Sequence, residues 1–268
     1  MTTISTAQPV RAERSSLRWT ISDVLTMAKR NLLALVRIPT SLVFAVIQPI
    51  MFVLLFRYVF GGEIKIPGVS FVNYLIPGIL VQTMLFGAVG TAIGLAEDLH
   101  RGLIERFRAL PMARMAVLAG RTVSDLVRNV GVLLVITVVG FAIDFRPHGG
   151  VPDYIAACLL MLTFAYCVSW GFAFIGLAAP NSETAQAISF PVIFPLTFAS
   201  AIFVQVSSMP GWLRPFANNQ PVSQVTDAVR GLMLGTPTGS SVWVALAWSV
   251  GAIVVLGPLA TSRYRKVA

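Results

Sequence analysis

Charged side chains are scarce in this 268-residue sequence. They make up 12% of the chain, against 56% hydrophobic residues and a mean hydropathy of +0.79. Soluble domains carry about 25% charged residues. A chain with about half that share has too little polar surface to cover a water-soluble globule. The composition therefore excludes the soluble classes and indicates an integral membrane protein.

The sequence also lacks the residues of most catalytic and metal sites. Its two cysteines, Cys158 and Cys167, lie nine residues apart in one apolar run, where a helix keeps them separated, so they predict no disulfide and no metal site. It contains neither a G-x-x-x-x-G-K-[ST] phosphate loop nor an H-E-x-x-H zinc motif. We therefore expect no enzyme activity, no nucleotide site and no bound cofactor in this chain.

Long apolar runs are what the chain has instead. A helix needs roughly 20 apolar residues to cross a bilayer core of about 30 Å. Five runs meet this length: residues 41–60, 74–96, 154–179, 185–206 and 242–262. A sixth, residues 129–143, must extend back through Arg128 and Asp125, which are three residues apart and can pair on one helical face. The pattern predicts an all-α membrane protein with six spans.

Basic residues indicate how these spans are oriented. Fifteen of the 20 lie before span one, between spans two and three, or after span six. The positive-inside rule places those three regions, and hence both termini, in the cytoplasm. The net charge of +9 is therefore a topology signal and predicts no nucleic-acid partner. We expect residues 1–17 to be a disordered cytoplasmic tail and residues 18–268 to form a single transmembrane domain.

Residues 18–38 combine an apolar stripe at helical spacing with basic residues on the other side. This pattern favours an amphipathic helix in the cytoplasmic membrane interface. A cytoplasmic tail that docks on the spans is the alternative.

Residues 207–241 form an outer connection that is too long for an ordinary hairpin loop. We predict two short helices, in residues 209–216 and 221–235, that dip into the outer leaflet as a re-entrant hairpin. Asp227 and Arg230 can pair across one helical turn. An ordinary outer loop is the alternative.

A dense block of mixed charge, EDLHRGLIERFRALPMAR at residues 97–114, separates spans two and three. Its apolar residues recur at helical spacing, and opposite charges lie three or four residues apart. The apolar positions are Leu99, Leu103, Phe107 and Leu110, and the pairs are Glu97 with Arg101 and Glu105 with Arg108. Pro111 ends this short amphipathic cytoplasmic helix. A solvated loop whose arginines only set topology is the alternative.

The motif E-D-x-x-x-G-x-x-E-R-F-R-A-L-P-M-A-R in this block resembles the cytoplasmic segment of type-2 ABC exporter permeases, in particular the daunorubicin-resistance branch. Three further stretches resemble the family in the same order, and with the block they cover nearly the whole chain after the first twenty residues. They are residues 74–87, 180–200 and 209–235. The chain departs from the wider family at Asn219-Gln220-Pro221, where members often have Asn-Pro.

This resemblance implies a permease subunit of the cell membrane that exports a drug or lipid, in the context of drug and antibiotic resistance or lipid transport. Two copies of a separate ATPase subunit, which bind ATP and Mg²⁺, would power transport. A second permease chain, identical or related, would complete the complex. The residues implied in ATPase coupling are Glu97, Asp98, Arg101, Gly102, Glu105, Arg106, Arg108, Pro111 and Arg114.

Polar and aromatic residues within the spans suggest a path for a hydrophobic or amphiphilic solute. These candidates are Gln48, Gln82, Pro191, Phe194, Pro195 and Phe198. The prolines are expected to kink span five, and the two phenylalanines offer aromatic surface at helical spacing. A secondary carrier that works without ATP and a membrane-embedded lipid-modifying enzyme remain the alternative functions.

Overall fold

The computed structural model describes residues 17–37, 39–60, 68–108 and 116–267, and the regular structure in these ranges is helical. The α-helices are α1 Leu17–Arg37, α2 Pro39–Leu55, α3 Phe71–His100, α4 Leu103–Arg108, α5 Ala116–Ala142, α6 Val151–Ala178, α7 Ser182–Phe198, α8 Arg214–Asn219, α9 Pro221–Leu234 and α10 Ser241–Val267. A π-helical segment, Phe56–Phe60, continues α2, and a 3₁₀ turn, Val206–Ser208, precedes α8. Of the predicted tail, residues 1–17, the first sixteen lie outside the described residues, and Leu17 begins α1.

Four of these helices, α3, α5, α6 and α10, are long and apolar enough to cross a membrane. They correspond to predicted spans two, three, four and six, so the prediction of an all-α membrane protein is confirmed. The other two predicted spans coincide with shorter helices, since α2 and α7 have 17 residues each. At 1.5 Å per residue, 17 residues extend about 26 Å.

Helix α3 lies at the centre of the bundle. Every residue from Phe71 to Gln82 is buried, as is typical of a helix that is apolar on all sides. It packs against α5, α6, α7 and α9. Its contact with α6 is close because Gly176 lies against the Ala92 carbonyl, where a Cβ atom would overlap the backbone. Small residues permit such approaches between membrane helices.

Helix α7 ends earlier than predicted. The expected span continued to residue 206, but the helix ends at Phe198. The reason is local: the Ser200 hydroxyl donates to the Thr197 carbonyl at 2.6 Å and accepts from the Ile202 N–H at 3.2 Å. These bonds give the backbone an alternative to the helical pattern, and residues 199–203 turn back against α3.

The predicted helix through residues 99–110 is interrupted. Helix α3 continues to His100, and α4 begins only at Leu103. Gly102 lies between them with φ +64°, a left-handed conformation that glycine adopts without strain and that ends helices. Glu97 therefore belongs to the last turn of a long span helix, whereas Glu105 belongs to the separate short helix.

Helix α1, at the position of the predicted amphipathic helix, packs mainly on α5. The contact centres on Gly120, whose missing side chain leaves room for Met27 and the Val24 carbonyl. The exposed residues of α1 include Trp19, Ile21 and Leu25. Whether this apolar surface lies in a membrane interface stays a prediction.

Candidate functional site

The described part of the 97–114 block carries a mixed-charge surface at the end of α3 and on α4. Glu97 and Arg101 form an ion pair with an N–O distance of 2.5 Å, and their side chains are 45% and 65% exposed. Glu105 and Arg106 on α4 are also exposed. These four side chains present both signs of charge at the surface of the single chain.

Asp98 differs from these neighbours because it faces another helix. Its carboxylate accepts a hydrogen bond from Arg30 of α1 at 3.0 Å, and its side chain is only 13% exposed. Asp98 thus joins α1 to the end of α3. The coupling role predicted for it stays a prediction. The Arg108 side chain, Pro111 and Arg114 lie outside the described residues.

Just above this surface, α3 and α5 share a buried polar group that we term the inner charge cluster: Thr91, Arg121, Asp125 and Arg128. Asp125 is 4% exposed. Its carboxylate accepts a hydrogen bond from the Thr91 hydroxyl at 2.5 Å. Arg128 lies 3.5 Å from it and Arg121 3.9 Å. The pairing of Asp125 with Arg128, predicted from their spacing, is confirmed.

The two arginines of this cluster also bind the backbone of α3. Arg121 donates to the Gly90 carbonyl and Arg128 to the Gly87 carbonyl, each at 2.6 Å. Gly87, Gly90 and Gly94 leave the surface of α3 open here, because a Cβ atom at any of them would meet a guanidinium group. These glycines recur at intervals of three and four residues, which places them on one helical face. Their spacing is the sequence signal that identifies this binding surface for the two arginines.

Aromatic side chains connect α2 to α7 along one surface of the bundle. Phe56 stacks on Phe203 with ring centroids 4.6 Å apart, Phe203 on Phe198 at 5.6 Å, and Phe198 on Phe194 at 5.5 Å. Phe194 and Phe198 remain 46% and 48% exposed. Gln48 on α2 is exposed as well. Three of the predicted path residues are thus accessible on the surface of the single chain.

The remaining path candidates divide between exposed and buried positions. Pro191 and Pro195 lie within α7 and are exposed. Gln82 is only 3% exposed, and its side-chain nitrogen has no hydrogen-bond partner among the described residues. It lies within the core of this chain.

A separate apolar cavity of about 250 Å³ opens between α6, α7 and α10. Helix α6 contributes Cys167 and Phe172, α7 contributes Val192, and α10 contributes Trp248 and Ser249. The Ser249 hydroxyl already donates to the Ala245 carbonyl at 2.8 Å. The cavity therefore offers space for hydrocarbon and little hydrogen bonding.

On the other side of the bundle, Arg230 of α9 forms what we term the outer arginine centre, with Tyr74, Ala201, Ile202 and Asp227. Arg230 donates to the carbonyls of Tyr74 at 3.2 Å, Ala201 at 2.9 Å and Ile202 at 3.3 Å. Its guanidinium lies 3.6 Å from the centre of the Tyr74 ring. The pairing of Arg230 with Asp227, predicted from their spacing, is confirmed at 3.1 Å.

This centre supplies hydrogen bonds that the backbone lacks after α7 ends. Carbonyl groups in an apolar environment need a donor, and the turn after Phe198 has no following helical turn to provide one. Burial lowers the pKa of the Arg230 guanidinium, and the nearby Asp227 carboxylate opposes this shift. Gln220 donates to the Ala199 carbonyl in the same turn. Sequence reasoning identified the pair with Asp227 but missed these backbone contacts.

Within the described residues, no group of three or more His, Cys, Asp or Glu side chains is arranged to hold a metal ion.

Comparison with known proteins relates this architecture to one family. A family model described as "ABC-2 type transporter" matches residues 22–234. The chain is 34% identical over 253 residues to the daunorubicin resistance ABC transporter permease protein DrrB1 of Streptomyces coeruleorubidus, covering 94% of this chain and 89% of that protein. It is 27% identical over 190 residues to the doxorubicin resistance ABC transporter permease protein DrrB of Mycobacterium tuberculosis, covering 69% of this chain and 66% of that protein.

Proposed function

Because this chain belongs to the ABC-2 type transporter family, we propose that it is the permease subunit of an exporter powered by a separate ATPase. Its cargo is a hydrophobic or amphiphilic solute, a drug or a lipid, which leaves across the cytoplasmic membrane. The observation that carries this proposal is the similarity, over 94% of the chain, to a permease named for daunorubicin resistance. The absence of a phosphate-binding loop from the sequence supports a separate ATPase.

The proposed topology has six crossings and both termini in the cytoplasm. Helices α3, α5, α6 and α10 supply four of them. Helix α2 with its π-helical extension and α7 with the turn that follows supply the other two. The distribution of basic residues supports this orientation. Helix α1 then lies in the cytoplasmic interface with Trp19 and Ile21 toward the acyl chains, and α8 and α9 form the outer hairpin.

The working unit contains two permease chains, identical or related, and two ATPase subunits, which hold ATP and Mg²⁺. The surface of α2 and α7 supports a second permease chain, since α2 exposes Gln48 and α7 exposes Phe194 and Phe198. A polar amide that faces acyl chains is unfavourable, whereas a path between two permeases gives it polar or solvated surroundings. The aromatic rings then provide apolar surface for the solute.

Coupling occurs at the mixed-charge surface formed by Glu97, Arg101, Glu105 and Arg106. Closure of the paired ATPases pushes this surface, and the push reaches α3 directly because Glu97 lies in its last turn. The two permease halves then tilt and open the path outward, in an alternating-access motion.

Purification of the complex from its native membrane, followed by reconstitution into liposomes, tests the proposal. We expect an ABC ATPase to co-purify, and daunorubicin or a fluorescent lipid to cross the membrane only when ATP is supplied on the ATPase side. The isolated permease should neither bind nor hydrolyse ATP. Nucleotide binding by the pure chain, or transport that needs no ATPase, would refute this assignment.

A further inference from the structure

Asp125 is an unusual residue for its position. It lies on α5, an apolar helix long enough to cross a membrane, and is 4% exposed. Ionised groups inside a membrane are unfavourable, and those that occur are paired and often functional. Buried ion pairs are also a poor source of stability, because well-packed apolar residues of similar size stabilise a protein as well or better. Stability alone therefore gives no reason for a carboxylate here.

The contacts of Asp125 cross from α5 to α3. Its own oxygen accepts from Thr91 of α3. Arg121 and Arg128, one turn before and one turn after Asp125, lie within 3.9 Å and 3.5 Å of its carboxylate. Both arginines also donate hydrogen bonds to backbone carbonyls of α3. One carboxylate thus orients two guanidinium groups, and three side chains of α5 hold one face of α3.

These contacts join the two helices that lie on either side of the mixed-charge surface along the chain. Helix α3 ends at His100 directly before α4, and α5 is the next long helix along the chain. The two helices held by Asp125 are therefore those that flank the coupling segment. A push on that segment moves both spans together only if they are joined, and the inner charge cluster joins them through polar contacts.

We propose that Asp125 is a positioning residue that locks α3 to α5, so that both spans flanking the coupling segment move as one body when the ATPases close. This inference rests on the proposed function. It assigns Asp125 no contact with ATP or solute: it acts through Arg121, Arg128 and Thr91.

Asp125→Asn is the sharpest substitution. The amide has the same shape and still accepts from Thr91, but it no longer attracts the two arginines. The matched control is Asp144→Asn, the same chemical change at a carboxylate that is 79% exposed and pairs with Arg146 in the loop after α5. Its backbone has φ 73°, which asparagine tolerates.

The first readout is a distance that needs no knowledge of the solute. Spin labels at His100 and Val127, both exposed, report on α3 and α5 in a complex that lacks Cys158 and Cys167. With Asp125 present, we expect the same distance distribution without nucleotide and with trapped ATP. With Asp125→Asn, the distribution should shift or broaden on ATP binding. A change in the parent complex, or none in the variant, would overturn the proposal.

The second readout is the amount of daunorubicin transported per ATP hydrolysed by the reconstituted complex. Asp125→Asn should lower this ratio at least five-fold while ATP hydrolysis continues, and Asp144→Asn should leave it unchanged. If Asp125→Asn does not fold, Thr91→Val weakens the same contact without changing any charge and should lower the ratio by a smaller factor. A role in folding alone would reduce the yield of complex and not the ratio, so an unchanged ratio in the folded variant contradicts the lock.

Neutralising one arginine separates the lock from simple charge balance. Asp125→Asn combined with Arg128→Gln restores the net charge of the cluster but not its contacts. We expect the ratio to stay low, whereas its recovery would mean that charge balance was the only role of Asp125. If the parent complex shows no ATP-dependent transport, the proposed function fails, which differs from failure of the lock.

Discussion

Among the described residues, two buried charged centres lie near opposite ends of α3, and they use charge differently. Tyr74 and Thr91, their respective contacts on α3, are 17 residues apart, or about 25 Å along the helix. At the inner centre, a carboxylate and two guanidinium groups hold two long helices side by side. At the outer centre, one guanidinium binds three backbone carbonyls, two of them in the turn after α7.

Under the proposed lock, this difference separates contacts that complete the fold from contacts that transmit movement. Two of the outer carbonyls, those of Ala201 and Ile202, lie in the turn after α7 and depend on side-chain donors in an apolar environment. Arg230 serves both, and the Tyr74 hydroxyl also donates to the Ala201 carbonyl at 3.3 Å. The inner carbonyls of α3 lie within a continuous helix, and the arginines add a second bond to them. Loss of the outer centre should therefore affect folding first, and loss of the inner centre should affect coupling first.

The largest effect is expected at Arg230. Arg230→Met keeps the length of the side chain but removes every donor, and the unsatisfied carbonyls should lower the free energy of unfolding by about 3 kcal/mol. Arg230→Lys should be intermediate, because one ammonium cannot replace a planar fork stacked on Tyr74. Thermal unfolding of the purified complex in detergent measures this.

Arg214→Met is the control for that change, since Arg214 is exposed and its guanidinium donates to one carbonyl, that of Met209. It should change stability by less than about 1 kcal/mol. Equal losses for Arg214→Met and Arg230→Met would show that the outer centre has no special structural role.

The next effect concerns the exposed charges below the inner centre. Glu97→Lys with Glu105→Lys replaces attraction by repulsion at a partner interface, where like charges cost several kcal/mol. The double variant should insert with unchanged topology but lose its ATPase on purification. Glu183→Lys, at an exposed carboxylate in the first turn of α7, is the control and should retain the ATPase. Normal export by the double variant would favour the solvated-loop alternative for residues 97–114.

A smaller effect on transport is expected at the glycines of α3 that contact the inner charge cluster. A methyl group at Gly94 would overlap the guanidinium of Arg121, and this flexible side chain can move away, so Gly94→Ala should change stability by no more than about 1 kcal/mol. Transport per ATP should nevertheless fall about two-fold, because Arg121 leaves the Gly90 carbonyl. Gly131→Ala on α5, where a Cβ atom meets no atom within 4 Å, should leave this ratio unchanged. Identical ratios for the two variants would remove Arg121 from the lock.

The comparison also shows why sequence reasoning succeeded for some features and not for others. Apolar length predicted the long helices because burial in lipid depends on composition over about 20 residues. The pairs of Asp125 with Arg128 and of Asp227 with Arg230 followed from helical spacing, which is local. The end of α7 at Phe198 depends on Ser200 bonds and on contacts with α9, and the break at Gly102 on a single backbone angle, so a span-length pattern did not reveal them.

Contacts between distant segments were the least predictable. Arg230 reaches Tyr74, 156 positions away in the chain, and Asp125 reaches Thr91, 34 positions away. The glycines at 87, 90 and 94 did carry a signal for the inner centre, since they clear one face of α3. Nothing comparable marks the carbonyls of Ala201 and Ile202, which become acceptors only because the chain folds back there. Gln82 was predicted to line the solute path because it is a polar residue in a span, but its side chain is buried in the core.

Site-specific cross-linking to the ATPase in native membranes tests directly whether the mixed-charge surface is where the ATPase docks. In one variant, a photoreactive amino acid replaces Arg106 on the mixed-charge surface. In a second, it replaces Trp212, which is 79% exposed at the other end of the molecule. We predict a cross-link to an ABC ATPase from position 106 and none from position 212. A folded complex that cross-links its ATPase from position 212, or that never does so from position 106, would contradict this prediction.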